Sequence, residues 1–226
     1  HSIDLVSNDY LTVSQKKFKL QMEYLTCNYN ILPLNEIQNI KFGNEQYKPT
    51  ILISFDDAFK NNVDYALPIL EQLEIKAIFF IIATCLGKNN LWDHKAYSIA
   101  EHMTKDDLLL LHKTGHDIGS HSLTHQRLPK LDTSMLEYEF NKSNDIIADI
   151  INDKPIAFSY PYGDADERCF KFCKDYYKFG FATTKQGVFT WQLNPFNIRR
   201  IYVSPDDNDK TLQQKINCYL GECQHD

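Results

Sequence analysis

Two adjacent carboxylates, Asp56 and Asp57, follow directly on an apolar run that ends in Phe55. Side by side at the end of a buried strand, they would repel each other and lose hydration. One interpretation is that they cap a helix or open a turn, as strand-end aspartates commonly do. A metal ion bound by Asp57 explains the pair better, because the cation offsets the repulsion and leaves Asp56 beside a coordinated water.

Two histidines four residues apart, His121 and His125, could supply further ligands for such an ion. If the chain turns helical there, both imidazoles lie on one face and can share a metal with Asp57. Two histidines and one carboxylate leave coordination positions open for water and substrate, which is typical of a catalytic site. The alternative is a pair of surface or capping histidines. His112 and His116 have the same spacing, but His116 begins a predicted strand, so that pair carries little weight.

The elements that must position these groups alternate between strands and helices. Apolar residues at helical spacing predict helices, and short apolar runs predict buried strands. In chain order we expect a helix after Ser14, strand 50–54, helix 62–73, strand 76–83, helix 104–113, strand 116–120, helix 132–151, strand 156–160, helix 166–177 and strands 179–183 and 198–203. This order predicts an α/β fold with a parallel sheet, in which reactive groups gather at the carboxyl ends of the strands. Because no repeat or linker divides the chain, we expect one domain over residues 1–226, with 210–226 as a peripheral tail.

Three motifs, each at a predicted strand end, carry a resemblance to a known family. They are "FDD" at 55–57, "HSLTH" at 121–125 and "YPYG" at 160–163. This order of motifs resembles the polysaccharide deacetylases, the NodB-homology domain or carbohydrate esterase family 4. The resemblance implies a distorted (β/α) barrel of seven strands, a general base at Asp56, and a divalent metal, usually Zn²⁺, with Co²⁺ or Ni²⁺ as alternatives. The ligands that it implies for this metal are Asp57, His121 and His125.

The sequence departs from the common pattern of that family in three places. Ala58 stands where glycine usually follows the aspartates, and Ser159 stands where the third motif usually opens with arginine. The late Leu-x-His motif that normally supplies the general acid is not recognisable. The branch of poly-β-1,6-N-acetylglucosamine deacetylases lacks that arginine. Its opening stretch resembles residues 1–3 of this chain, and its later region resembles residues 181–203.

The resemblance to this branch implies an acid and an orienting group. His1 is the candidate general acid that protonates the leaving amine, and a residue left over from cloning is the alternative. Arg200 is the candidate to hold Asp56 in place of the missing arginine. A solvated charge at the start of a strand is the alternative for Arg200.

Two other stretches are expected to contact the substrate. The family places an oxyanion-binding N–H at Tyr162, so Pro161 and Tyr162 would line the substrate site. The alternative is an ordinary Pro-Gly turn at 161–163. Trp92 could stack on a sugar ring, and a buried aromatic lid is its alternative.

The activity that these residues predict is metal-dependent removal of N-acetyl groups from an N-acetylglucosamine-type polysaccharide or oligosaccharide. One alternative is a catalytically inactive carbohydrate-binding domain, which would be consistent with Ala58 and Ser159. The other is a barrel metal hydrolase that acts on a different amide.

The composition excludes some other classes of protein. A formal net charge of −6 argues against a nucleic-acid binder. No stretch approaches the roughly 18 uninterrupted apolar residues of a membrane span. The six cysteines form no CxxC pair, and we expect mostly free thiols. Free thiols favour a cytoplasmic location, but the family also works outside the cell and in the periplasm, so the sequence leaves localisation open.

Overall fold

The computed structural model describes residues 2–4, 12–37, 39, 48–89, 100–183 and 192–220. The chain forms two compact units, the first made of residues 1–80 and 85–118, and the second of residues 81–84 and 119–226. In chain order the elements are β1 (Ser2–Asp4), β2 (Thr12–Ser14), α1 (Gln15–Asn28), β3 (Asn30–Ile31), α2 (Leu34–Ile37), β4 (Thr50–Ile51), β5 (Ser54–Phe55), α3 (Leu67–Gln72), β6 (Ile78–Ile81), α4 (Lys105–Lys113), β7 (Asp117–Ser120), α5 (Thr133–Ile151), β8 (Ala157–Ser159), α6 (Glu167–Tyr176), β9 (Phe179–Ala182), β10 (Ile198–Arg199) and α7 (Asp209–Leu220).

In the first unit, α1 packs beside the strand that leads to the two aspartates. Its apolar residues recur every three or four positions, and Phe18, Met22 and Leu25 are buried as the spacing predicts. Phe18 meets Phe55 of β5 edge-on, with ring centroids 5.9 Å apart. Phe55 also stacks on Phe79 of the parallel neighbour β6, with centroids 4.8 Å apart. Aromatic packing therefore fixes the end of β5.

In the second unit, α5 covers the strand that leads to the Tyr-Pro-Tyr-Gly motif. The helix begins after Asp132, whose side chain accepts a hydrogen bond of 2.9 Å from the backbone N–H of Met135. Its buried face includes Leu136 and Phe140. Phe140 stacks on Phe158 of β8, with centroids 4.2 Å apart. This contact joins the longest helix among the described residues to the core beneath the motif.

The main sheet has six strands in the order β10-β9-β8-β7-β6-β5. The pairings β5–β6, β7–β8, β8–β9 and β9–β10 are parallel, which confirms the predicted α/β fold. The expected count of seven strands is not confirmed within the part of the chain that the structure describes. Two smaller parallel sheets pair β1 with β2 and β3 with β4.

The predicted boundaries differ from the structure at one helix and at several strands. The helix predicted at 62–73 is a π-helix over Asn62–Ala66 followed by α3, and the strand predicted at 76–83 is shortened to β6. The strand predicted at 50–54 is divided, because β4 pairs with β3 whereas β5 pairs with β6. The strand predicted at 198–203 is reduced to β10, which pairs with β9 over two residues. The helices predicted at 104–113, 132–151 and 166–177 are observed with ends that differ by one residue.

Two other expectations concern membranes and thiols. No helix within the described ranges is both long and apolar enough to cross a bilayer. Free thiols are found at Cys27, Cys85, Cys169 and Cys173, as expected, whereas Cys218 is disulfide-bonded.

Candidate active site

Asp56 and Asp57 follow directly on β5, and both are half-buried. Asp57 and Ala58 adopt left-handed backbone conformations, with φ of 70° and 53°. Such a conformation costs a non-glycine residue roughly 1–2 kcal/mol. Two hydrogen bonds hold the turn, since Nδ1 of His102 lies 2.7 Å from the Asp57 carbonyl oxygen and the N–H of Met103 donates to Ala58 at 2.7 Å. Ala58 therefore takes up the positive φ for which the family pattern uses glycine.

His102 is a residue of this turn that sequence reasoning missed. Its Nδ1 must carry the proton, because its partner is a carbonyl oxygen that can only accept. The ring is buried and stacks on Phe59, with centroids 5.1 Å apart. Burial lowers the pKa of His102, so the neutral imidazole supports the Asp57 backbone near neutral pH.

His121 and His125 follow β7 and are 2% and 7% exposed. Their rings lie 4.9 Å apart between centroids. The segment is not helical, because Ser122 and His125 turn the chain with φ of 68° and 60°. Nδ1 of His121 lies 2.8 Å from the carbonyl oxygen of Ser159, so Nδ1 carries the proton and Nε2 has the lone pair for a metal. A backbone carbonyl thus fixes the tautomer of the first predicted ligand.

Asp57, His121 and His125 could together hold a metal ion. Each offers one ligand atom, and these atoms all lie within 4.8 Å of one another. Two imidazoles and one carboxylate suit zinc, and three protein ligands leave a fourth tetrahedral position for water or substrate. The structure therefore brings together the three residues that the sequence predicted as ligands, and their chemistry fits the expected ion.

The Tyr-Pro-Tyr-Gly motif follows β8 as a tight turn beside His125. Tyr162 has φ of 61°, is 50% exposed, and its ring lies 4.7 Å from that of His125. The guanidinium of Arg127 lies over the same ring at 4.3 Å from the centroid. Gly163 has φ of 66°, and a Cβ there would lie 2.8 Å from the backbone nitrogen of Thr183, so glycine is required. The motif is therefore more constrained than an ordinary surface turn.

Arg200 follows β10 and is half-buried. Its Nη2 donates a hydrogen bond of 2.8 Å to Oγ of Ser159. Pro161 is also buried in this region of the second unit. The predicted roles of His1 and Trp92 concern positions outside the described residues.

A second residue that sequence reasoning missed is Glu139, which is 1% exposed on the inner face of α5. Its carboxylate accepts hydrogen bonds from the backbone N–H groups of Leu123 and Thr124. One signal was present in the sequence, because Glu139 shares a helical face with Leu136 and Phe140. A glutamate on the buried face of a helix requires a partner.

Comparison with known proteins identifies the family. The family profile described as polysaccharide deacetylase matches residues 43–180. The chain belongs to the polysaccharide deacetylase family. The predicted resemblance to the polysaccharide deacetylases is thereby confirmed.

Individual relatives agree with this membership. The chain is 28% identical over 210 residues to YxkH of Bacillus subtilis, covering 91% of this chain and 70% of that polysaccharide deacetylase homologue. It is 27% identical over 206 residues to the poly-β-1,6-N-acetyl-D-glucosamine N-deacetylase of Staphylococcus aureus, covering 86% of this chain and 69% of that protein. The solved structure of the Streptococcus pyogenes deacetylase PplD in complex with acetate has a TM-score of 0.79 and 23% identity, covering 95% of this chain and 94% of that one. The last comparison shows a shared fold.

Proposed function

We propose that this protein is a metal-dependent hydrolase that removes N-acetyl groups from an N-acetylglucosamine-type glycan. The observation that carries the proposal is the grouping of Asp57, His121 and His125 in a member of the polysaccharide deacetylase family. Similarity to a poly-β-1,6-N-acetyl-D-glucosamine N-deacetylase favours a polymer or oligomer of N-acetylglucosamine as substrate.

The proposed metal ligands are Asp57, His121 and His125, and Zn²⁺ is the preferred ion, with Co²⁺ or Ni²⁺ as alternatives. When bound, such an ion polarises the acetyl oxygen and lowers the pKa of water to about 7. Asp56, adjacent to a ligand, would take the proton of the attacking water as general base. The backbone carbonyl of Ser159 supports the proposed role of His121 as a ligand. It accepts a hydrogen bond from Nδ1 of His121 and so leaves the lone pair of Nε2 available to the ion.

The remaining proposed roles are oxyanion binding, orientation of the general base, protonation of the leaving amine and contact with the sugar. The backbone N–H of Tyr162 would donate to the developing oxyanion, a contribution worth about 3 kcal/mol when one such donor is removed from other hydrolases. Arg200 would orient Asp56, and His1 would protonate the departing amine. Pro161, the exposed ring of Tyr162 and Trp92 would contact the sugar.

The test is acetate release from N-acetylated oligosaccharides by chelator-treated protein, before and after addition of Zn²⁺, Co²⁺ or Ni²⁺. We expect release from N-acetylglucosamine oligomers only with metal, and none from His121→Ala at any metal concentration that saturates the wild type. Acetate release that survives chelation, or oligomer binding without acetate release under every condition, would contradict the proposal. The second outcome would favour the inactive carbohydrate-binding alternative.

A further inference from the structure

The carboxylate of Glu139 holds the backbone of the loop between the two histidines. Its Oε2 accepts hydrogen bonds from the N–H of Leu123 at 2.9 Å and from the N–H of Thr124 at 3.0 Å. Its Oε1 accepts a hydrogen bond from the hydroxyl of Thr124. Three donors from two consecutive residues therefore converge on one carboxylate that is 1% exposed.

The other side of the same loop is held by the segment that follows β6. The N–H of Ala83 donates to the carbonyl oxygen of Ser122 at 3.2 Å. The N–H and the hydroxyl of Thr84 both donate to the carbonyl oxygen of Leu123, at 3.1 and 2.7 Å. The carbonyl groups of Ser122 and Leu123 thus accept hydrogen bonds from residues 83–84. The N–H groups of Leu123 and Thr124 donate to Glu139. Without this carboxylate, the N–H groups of Leu123 and Thr124 would lose their acceptor.

The loop has a conformation that requires such support. Ser122 and His125 both have positive φ, and the N–H of His125 donates to Oγ of Ser122 at 2.9 Å. Positive φ is unfavourable for residues with a side chain and persists only where surrounding contacts impose it. Leu123 and Thr124, the two residues that Glu139 binds, lie between these two strained positions.

Burial of a carboxylate on a helix face that has no other buried charged residue also requires an explanation. Leu136, Phe140 and Ile147 of α5 are completely buried, and an apolar residue at 139 would continue that face. Burying a charge is unfavourable unless hydrogen bonds compensate for its lost hydration. The hydrogen bonds that compensate for the burial of Glu139 come from Leu123 and Thr124, in the loop between the two histidines.

We propose that Glu139 is a positioning residue for the metal site, and that it sets the affinity for the ion by fixing the backbone from which His125 projects. This inference rests on the proposed function, because it assumes that His121 and His125 bind the ion. Glu139 touches neither the ion nor the substrate in this proposal, and acts only through residues 122–125. Residues that hydrogen-bond directly to metal ligands typically contribute about 10–100-fold to metal affinity, and we expect an effect of this order from a carboxylate that fixes the backbone beside a ligand.

The test is calorimetric titration of Zn²⁺ into the metal-free full chain, with His121→Ala as the blank for binding elsewhere. Glu139→Met keeps the length of the side chain but removes both acceptor oxygens. We expect its dissociation constant to rise about 10–100-fold, with faster amide hydrogen exchange at Leu123 and Thr124 in the metal-free state. The same substitution at the exposed Glu137, two positions earlier on α5, should leave the affinity unchanged.

A second control separates positioning from general stability. Ile147→Ala creates a cavity in the buried face of α5 and should lower the melting temperature without changing Zn²⁺ affinity. If Glu139→Met binds Zn²⁺ as tightly as the wild type, or if Ile147→Ala weakens binding equally, the positioning role is wrong and the metal centre stands. If the wild type binds no more Zn²⁺ than His121→Ala, the proposed function itself fails, and the positioning role fails with it.

Glu139→Gln keeps the test decisive if Glu139→Met does not fold. It retains one acceptor oxygen but loses the charge, and hydrogen bonds to charged acceptors are roughly twice as strong as neutral ones. We expect about fivefold weaker Zn²⁺ binding in this variant, corresponding to about one weakened hydrogen bond. Affinity equal to that of the wild type would overturn the proposal.

Discussion

Nη2 of Arg200 donates a hydrogen bond of 2.8 Å to Oγ of Ser159. The common family pattern has an arginine at the position of Ser159. In this chain the guanidinium of Arg200 contacts that serine. The carbonyl oxygen of the same serine accepts from Nδ1 of His121 at 2.8 Å. Ser159 therefore links the proposed orienting group to a proposed metal ligand.

This relationship supports a prediction for Arg200. Arg200→Ala should reduce kcat for acetate release on the order of 10–100-fold, because a misplaced general base loses its alignment with the attacking water. Bound zinc, measured by elemental analysis, should stay at the wild-type level. Arg199→Ala, at the neighbouring position, is the matched control and should retain wild-type kcat. Full activity of Arg200→Ala would show that Arg200 does not orient the general base.

The sequence predicted the three candidate metal ligands because side chains at strand ends leave a visible pattern. Asp57, His121 and His125 could be selected from their types, their spacing and the apolar runs before them. The supporting residues His102 and Glu139 bond to backbone groups. Because every residue type has these groups, such bonds produce no recognisable motif in the sequence. Only the buried position of Glu139 on α5 could have indicated such a partner.

Elements with a long, regular spacing of apolar residues are easier to predict than short strands. Helix α5 is long and strongly amphipathic, and its predicted range agrees with the structure to one residue. The apolar run 50–54 predicts a single strand, because the sequence does not reveal that β4 and β5 have different pairing partners. Strand pairing depends on distant segments, which a local pattern does not contain.

The buried His116 predicts a loss of stability in acid. Ala77 N–H lies 3.1 Å from its Nδ1, and Nε2 lies 3.0 Å from Oε1 of Glu71, so the neutral ring with its proton on Nε2 fits both partners. Burial lowers the pKa of His116 below its usual 6.5. The unfolded chain therefore binds a proton more readily, and this contribution to stability is present above about pH 6.5 and lost as the pH falls below it.

The measurement is urea denaturation of the wild type and of His116→Asn between pH 7.5 and pH 5. Asparagine can accept from Ala77 but does not titrate, so the free energy of unfolding should fall more steeply with acid in the wild type. One histidine contributes a slope of at most about 1.4 kcal/mol per pH unit. Parallel pH profiles for the two proteins would contradict this explanation.

The role of His1 as general acid remains a prediction that rests on the family resemblance. His1→Ala should lower kcat about 100-fold or more while leaving zinc content unchanged, since general acids typically contribute 10²–10⁴-fold. The fall in activity at high pH, caused by deprotonation of the acid, should also disappear from the variant. His112→Ala serves as the control and should match the wild type. If the pH dependence of kcat is the same in His1→Ala as in the wild type, the general acid is another group.

The most direct test of the account is acetate release by Asp56→Asn loaded with Zn²⁺. We expect the variant to retain the zinc content of the wild type and to lose activity on N-acetylglucosamine oligomers by about 10²–10⁴-fold, because asparagine cannot accept the proton of the attacking water. Asp57→Asn, at the adjacent position, should instead lose zinc. An Asp56→Asn protein that binds zinc and releases acetate at the wild-type rate would show that Asp56 is a turn residue, and would contradict the proposed mechanism.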